Sequence, residues 1–410
     1  MSEGLKNKKV LVCPLDWGLG HATRCIPIIR ELKKNGAEVI IAGDGQSLEL
    51  LKQEFPDLVT ITLRGYNIKF SRISLPVILK LIPRVLFKII SEHRRVKEII
   101  RNHQVDVLIS DNRYGLWNRE AYTVFITHQP NIITPQRVQF AAPLLRTITR
   151  WFINKYNECW IPDSAGEENL SGKLSHGYPL PANTRFIGLL SRFEEYKEST
   201  VSTENTGIFY KNNLVSTDKS VSELTSTYSI IAILSGPEPQ RTIFEKRVID
   251  QLSQIPDRSL VIRGIAKSSN IDAPKEDTDV FRMRLNTSDS ITSGSVPNIS
   301  IVNHLKANEM FSVLKNAAVV ICRGGYSTLM DLCFTGNKVI CIPTPGQTEQ
   351  EYLAEKGAQE MKCVKAEQES FSINDCLTKI HSIKGYQIKQ ADIHYKDEIK
   401  RLLQKELTHV

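Results

Sequence analysis

The sequence has few of the features that would place it in the metal-dependent, secreted or membrane-spanning classes. None of its eight cysteines forms a C-x-x-C pair, so neither a zinc site nor a disulfide framework is expected. Cys13, Cys322, Cys333 and Cys341 lie in apolar segments, where small core residues belong, and reduced thiols in a cytoplasm account for them. There is no secretory signal, because MSEGLKNKK leads directly into a strand. The most apolar run, Leu75 to Ile90, has 16 residues interrupted by Lys80, Pro83, Arg84 and Lys88, too few to cross a hydrocarbon layer of about 30 Å.

What is present is an ordinary composition, 41% hydrophobic and 24% charged, over 410 residues. That length exceeds what one core serves and fits two domains of about 200 residues each. The formal charge of +8 is concentrated: between Arg64 and Arg101 there are ten Lys or Arg against Glu92 and Glu98. A basic surface at one place points to one anionic partner there and away from nucleic acid. Lys80, Arg84 and Lys88 repeat every four residues, on one helix face beside Val, Leu, Ile and Phe, and Pro83 is expected to divide the segment into two helices. Such a surface over residues 68–101 would suit an anionic membrane; a helical insertion with solvated lysines is the alternative.

The most informative stretch is Ala318 to Ala354. A buried strand to Cys322 is broken by Arg323-Gly324-Gly325, where absent Cβ atoms let backbone N–H groups approach a ligand. A helix follows with Ser327 or Thr328 near its cap, Leu329, Leu332 and Cys333 inward and Gly336 as its stop. A second strand, Lys338 to Ile342, ends in Pro343-Thr344-Pro345-Gly346, and Gln350 opens another helix. This βαβ unit places a ligand crevice beyond the strand ends, with a phosphate at the helix N-terminus, Asp331 within reach of a ribose diol and Gln350 facing sugar hydroxyls. A plain tight turn with a solvated Asp331 is the competing reading.

The first residues repeat the pattern. Strand Lys8 to Pro14 leads to the loop Leu15 to His21 and a helix from Ala22 to Asn35, without the full G-x-G-x-x-G of a dinucleotide site. His21, at the loop-to-helix junction, could take a proton from a hydroxyl that attacks a sugar, or could simply cap its helix. Asp111, ending the strand VDVLIS, could orient His21 or hold an acceptor, and His128 in Thr127-His128-Gln129-Pro130 is a candidate acceptor contact. In the second half, Ser235-Gly236 after the strand Ser229 to Leu234 offers N–H groups to a phosphate, and Arg137 to Asn157 reads as a helix.

Taken together, R-G-G-x-x-T-x-x-D-L-x-x-x-G, V-I-x-I-P and Q-x-x-x-A at residues 323–354 resemble the donor-binding signature of GT-B glycosyltransferases, nearest the peptidoglycan UDP-N-acetylglucosamine transferases of family 28. Gly18-Leu19-Gly20-His21 with Pro27 resembles their N-terminal motif, and GLGHATRC also looks like the loop of nucleotide-sugar hydrolases of nonulosonate synthesis. The resemblance implies an α/β fold of two Rossmann-like, doubly wound parallel-sheet domains facing a cleft. Residues 1–190 would hold the acceptor, through Gly18, Gly20 and His128, and 191–228 would form a linker. Residues 229–390 would hold a UDP-sugar, and 391–410 would cross back to the first domain. Arg323, Gly324, Gly325 and Thr328 would line the diphosphate with Ser235 and Gly236, the backbone at Leu305 would meet the base, and Asp331 and Gln350 would take ribose and sugar. His21 would be the base. Asp16-Trp17 and Leu353 depart from the family pattern, on the acceptor and sugar sides respectively.

The expected activity is therefore inverting transfer, without a metal or other cofactor, from a UDP-sugar to a hydroxyl acceptor, lipid-linked or part of a cell-envelope glycan, in the cytoplasm or on the inner membrane face. No D-x-D lies near the proposed phosphate loop. A hydrolase using the same pocket and His21, and a non-catalytic nucleotide-sugar or membrane-binding module, are the alternatives. A 2-epimerase on this fold would need several catalytic carboxylates that have no identifiable place in the sequence.

Overall fold

The computed structural model describes residues 8–65, 75–196, 228–265, 299–387 and 393–405. Short apolar runs, buried in the central strands and partly exposed at the sheet edges, make two all-parallel sheets. The first contains β1 (Lys9–Pro14), β2 (Glu38–Gly43), β3 (Val59–Thr62), β4 (Val107–Asp111), β5 (Tyr122–Ile126), β6 (Glu158–Ile161) and β7 (Thr184–Phe186), in the order β3-β2-β1-β4-β5-β6-β7. The second contains β8 (Ile230–Ile233), β9 (Ser259–Ile262), β10 (Ile299–Val302), β11 (Val319–Cys322), β12 (Lys338–Cys341) and β13 (Val364–Lys365), in the order β10-β9-β8-β11-β12-β13. Each is doubly wound, and its order reverses once, between β1 and β4 and between β8 and β11. Ligands bind outside the carboxyl ends of strands at such a reversal. All eight cysteines are free and buried.

The helix Tyr326–Thr335 starts after Gly325 and stops at Gly336, whose φ of 71° is the left-handed value a helix terminus asks of glycine. Two expectations need correction. Pro83 does not divide its segment: one helix runs Leu75–His103 through it. Pro83 is exposed, so its ring stands on the solvent side of the helix, where it displaces no core packing. Residues 137–157 are not one helix either. A 3-10 turn, Gln136–Ala141, precedes the helix Ala142–Ile153, whose second residue is Pro143, a residue suited to a first turn.

The helix Tyr395–Gln404 lies against the first domain, where Arg401 pairs with Glu158, and Tyr395 bonds to Glu194 in the chain that follows that domain. Most of the expected connection 191–228 and the whole polar excursion Lys267–Asn298 lie outside the described residues.

Candidate active site

The reversal of the first sheet is where the titratable groups meet. Pro14 pairs with Asp111 across β1 and β4, so the loop after β1 and the last residue of β4 share one edge. Gly18, at φ 91°, turns that loop into the helix Leu19–Lys34, which carries His21 and Arg24 one turn apart on the same face. Arg24 and Asp111 are buried and doubly bonded: Arg24 Nε donates to Asp111 Oδ2 at 2.7 Å, and Arg24 Nη2 to Oδ1. His21 Nδ1 lies 3.2 Å from Asp111 Oδ1 and 2.8 Å from Arg24 Nη2. Arginine can only donate, so the shorter contact makes Nδ1 an acceptor. A base acting at Nε2 requires the other tautomer, with Nδ1–H given to Asp111.

Burial pushes the His21 pKa down, and Arg24 pushes it further, against the pull of Asp111. Burial would raise the Asp111 carboxyl, but Arg24 and then His21 outweigh it and hold it at about 2. The site thus keeps a neutral imidazole beside a fixed carboxylate. The acid limb of turnover is expected to lie below the ordinary imidazole value of about 6.5, and a pH–rate profile of kcat/KM reads it. Because the folded state holds His21 deprotonated, the unfolded chain binds more protons just below that value, and His21 lowers stability as pH falls through it.

The second domain closes on this cluster. Ser327 Oγ donates to the Gly20 carbonyl at 2.8 Å, and a Cβ on Gly20 would stand 3.1 Å from that oxygen, so glycine permits the approach. Tyr326 stacks on His128 at 4.2 Å and donates to the Pro162 carbonyl at 2.7 Å. His128 Nδ1 faces Arg24 Nη1 at 2.9 Å, and its Nε2 faces Glu349 of the second domain at 3.0 Å. His21, Asp111, His128 and Gly20 are therefore together.

At the reversal of the second sheet, Gly236 (φ 107°) and Gly324 (φ 70°) turn the chain after β8 and β11. A Cβ on Gly236 would meet Thr344 Oγ1 at 3.5 Å, so the loops after β8 and β12 adjoin. Gly325 precedes the helix Tyr326–Thr335, Thr328 is half-buried in its first turn and Ser235 is half-buried beside Gly236.

Several donor-side residues differ from expectation. The Arg323 side chain does not line this loop: it is 1% exposed, stacks on Phe244 at 3.8 Å and donates to the Gln240 carbonyl at 2.8 Å, because a buried guanidinium needs acceptors and a ring face. Asp331 is not open to a crevice. It accepts from Ser191 Oγ at 2.7 Å and Arg192 Nε at 3.0 Å, which ties the chain after β7 to the second domain. Gln350 Oε1 accepts from the Thr344 N–H at 2.9 Å and so braces its own loop. The Leu305 side chain is in the core, which leaves the expectation for its backbone unchanged.

Sequence reasoning missed Arg24, Tyr326, Ser327 as a partner of Gly20, and Glu349. For Arg24 there was a signal, a charged residue among the inward positions of an otherwise apolar helix face. For Glu349, beside Gln350 in a polar first turn, there was none.

Residues 285–404 match the family model described as the glycosyltransferase family 28 C-terminal domain. No curated protein sequence matches the chain. Among solved structures, the UDP-GlcNAc 2-epimerase from Neisseria meningitidis bound to UDP-GlcNAc superposes with a TM-score of 0.57 at 13% identity, covering 97% of this chain and 100% of that one. The spinosyn rhamnosyltransferase SpnG gives 0.56 at 14% identity over 96% and 95% of the two chains. MurG of Acinetobacter baumannii gives 0.50 at 11% over 97% and 100%. The chain has the two-domain GT-B fold, and its residues 285–404 match the C-terminal domain model of glycosyltransferase family 28.

Proposed function

We propose that this protein is an inverting glycosyltransferase that moves a sugar, N-acetylglucosamine or a similar hexose, from a UDP-sugar to a hydroxyl acceptor without a metal. The observation that carries the reading is the placement of His21 and Asp111 at the reversal of one sheet, directly across the Gly20–Ser327 contact from the glycine loop of a family 28 domain. In the Nδ1–H tautomer, Asp111 orients the ring and His21 Nε2 takes the acceptor proton as the hydroxyl oxygen bonds to the anomeric carbon and the C–O bond to UDP breaks. Loop N–H groups at Gly236 and Gly324 and the N-terminus of the Tyr326–Thr335 helix stabilise the leaving diphosphate.

A lipid-linked acceptor is favoured by a surface on the first domain. Val85 and Ile89 of the long helix pack with Phe152, so that helix adjoins Ala142–Ile153. Outward from this seam stand Leu86, Phe87, Ile90, Leu144, Ile148 and Trp151, with Phe87 71% and Trp151 56% exposed. Lys88, Arg94 and Arg95 are exposed on the same long helix. Apolar and basic groups exposed together suit an anionic headgroup layer. Among the described residues no helix is long and apolar enough to cross a membrane.

The same pocket with water as acceptor would be a hydrolase, and the epimerase neighbour makes 2-epimerisation a third outcome. A panel of radiolabelled UDP-sugars, incubated with and without extracted membrane lipids, separates them. Label moving to lipid supports transfer. Free sugar without acceptor indicates hydrolysis, an interconverted UDP-sugar indicates epimerisation, and UDP binding with no turnover indicates a non-catalytic module.

A further inference from the structure

The loops after β8, β11 and β12 adjoin at the reversal of the second sheet, and two side chains tie them together. Arg323, directly after β11, donates from Nη2 to the Gln240 carbonyl at 2.8 Å and from Nη1 to the Ile342 carbonyl at 3.4 Å. Gln240 opens the helix Gln240–Leu252 that follows the β8 loop, and Ile342 precedes Pro343-Thr344. With its N–H held by Gln350, Thr344 is fixed in place and only 3% exposed. Its Oγ1 nevertheless has no hydrogen-bond partner among the described residues. A buried hydroxyl in that condition is unfavourable, and a valine would fill the same volume without the penalty. The hydroxyl stands against the anion loop: a Cβ placed on Gly236 would meet Thr344 Oγ1 at 3.5 Å and, apart from the adjoining residues, nothing else within 4 Å.

The charge at this place favours an anion. Burial pushes the Arg323 pKa down to about 9, with no carboxylate among the described residues to hold it up, and Arg323 Nε is without a partner among them. At that value the guanidinium still carries its charge at pH 7, and a buried cation without a counter-ion is stabilised by an anion bound close by. A neutral sugar would answer the hydroxyl and leave the cation uncompensated, whereas a phosphate answers both. We infer that Thr344 is a further leaving-group contact, whose Oγ1–H donates to a phosphate oxygen of the donor's diphosphate beside Gly236 and within the field of the Arg323 charge. The inference rests on the nucleotide-sugar reading of this crevice. A hydroxyl that gains its partner only with the ligand strengthens diphosphate binding, and more so as charge gathers there when the bond to the sugar breaks.

Calorimetric titration of the full-length protein with UDP and with millimolar uridine, together with thermal unfolding, tests this. Thr344→Val should bind UDP about 10-fold more weakly and uridine within about 2-fold of the unaltered protein, as expected for one lost charge-assisted hydrogen bond to phosphate. Without ligand the same variant should unfold about 2 °C higher, because valine removes the unpaired hydroxyl. Thr344→Ser, which keeps the hydroxyl, should hold UDP within about 3-fold of the unaltered protein. An unchanged UDP affinity in Thr344→Val, or a loss shared equally by uridine, overturns the inference and leaves the donor reading standing. So does a lower unfolding temperature in that variant, which would mean that the hydroxyl already has a structural partner. If the unaltered protein binds no UDP at all, both the inference and the reading beneath it are overturned.

Discussion

His21→Ala is expected to lower turnover by about 1,000-fold while leaving UDP affinity within about 3-fold of the unaltered protein. The size follows from the role, since a positioned proton acceptor acts in the transition state and contributes nothing to holding the nucleotide on the opposite domain. The substitution should also be tolerated structurally. Asp111 keeps both of its bonds to Arg24 when the imidazole is gone, so no buried charge loses its last partner. Isothermal titration with UDP and a radiolabel transfer assay read the two halves of the expectation. A rate within a few-fold of normal would leave His21 as a structural partner of Asp111 and Arg24 and move the base elsewhere. Equal losses of rate and UDP binding would mean that the side chain holds the domains together and does not act on the proton.

Arg24→Met is expected to be the most damaging single change to the first domain. It removes the cation that neutralises a fully buried carboxylate, and breaking such a pair typically costs about 3–5 kcal/mol. Asp111→Asn should cost a similar amount for the converse reason, and the double variant should cost clearly less than the sum, because each change removes the penalty the other creates. The pH dependence carries the mechanism. Without Arg24, Asp111 faces His21 alone, and a protonated imidazole becomes the compensating cation. His21 would then hold its proton more tightly folded than unfolded, a stabilisation present at low pH and lost as pH rises. The deficit of Arg24→Met should therefore be smaller at pH 5 than at pH 8. Urea unfolding followed through the buried Trp160 of β6 measures it, and a deficit independent of pH would show that His21 does not respond to Asp111.

The parts of this molecule that were legible without coordinates are those whose cause is local. Buried β-branched runs ending in glycine gave the strands, the turns after β1, β8 and β11 and the helix stop at Gly336. The His21 and Asp111 pairing could be anticipated because both sit at strand ends on one sheet edge. Arg323 and Asp331 were misread because a motif position says which loop a residue is on and not which way its side chain turns. The Arg323 guanidinium found carbonyls and the Phe244 ring inside the domain, and the Asp331 carboxylate found Ser191 and Arg192, residues 140 and 139 positions earlier in the chain. Pro83 was misread because the penalty for proline in a helix depends on whether it sits on the solvent side or against a core, and the run alone did not show that Pro83 is exposed.

By itself the sequence determined the βαβ units with their glycine loops and a basic, apolar segment between residues 64 and 101, since backbone geometry and burial of apolar runs act over a few residues; the doubly wound arrangement of two sheets was implied by the family resemblance. Only the tertiary structure decided that Arg24 completes the His21–Asp111 pair, because the packing of the first helix on the end of β4 excludes the water that would otherwise satisfy those charges, and that Glu349 reaches His128, 221 residues away in the chain, because that contact exists only where the two domains meet.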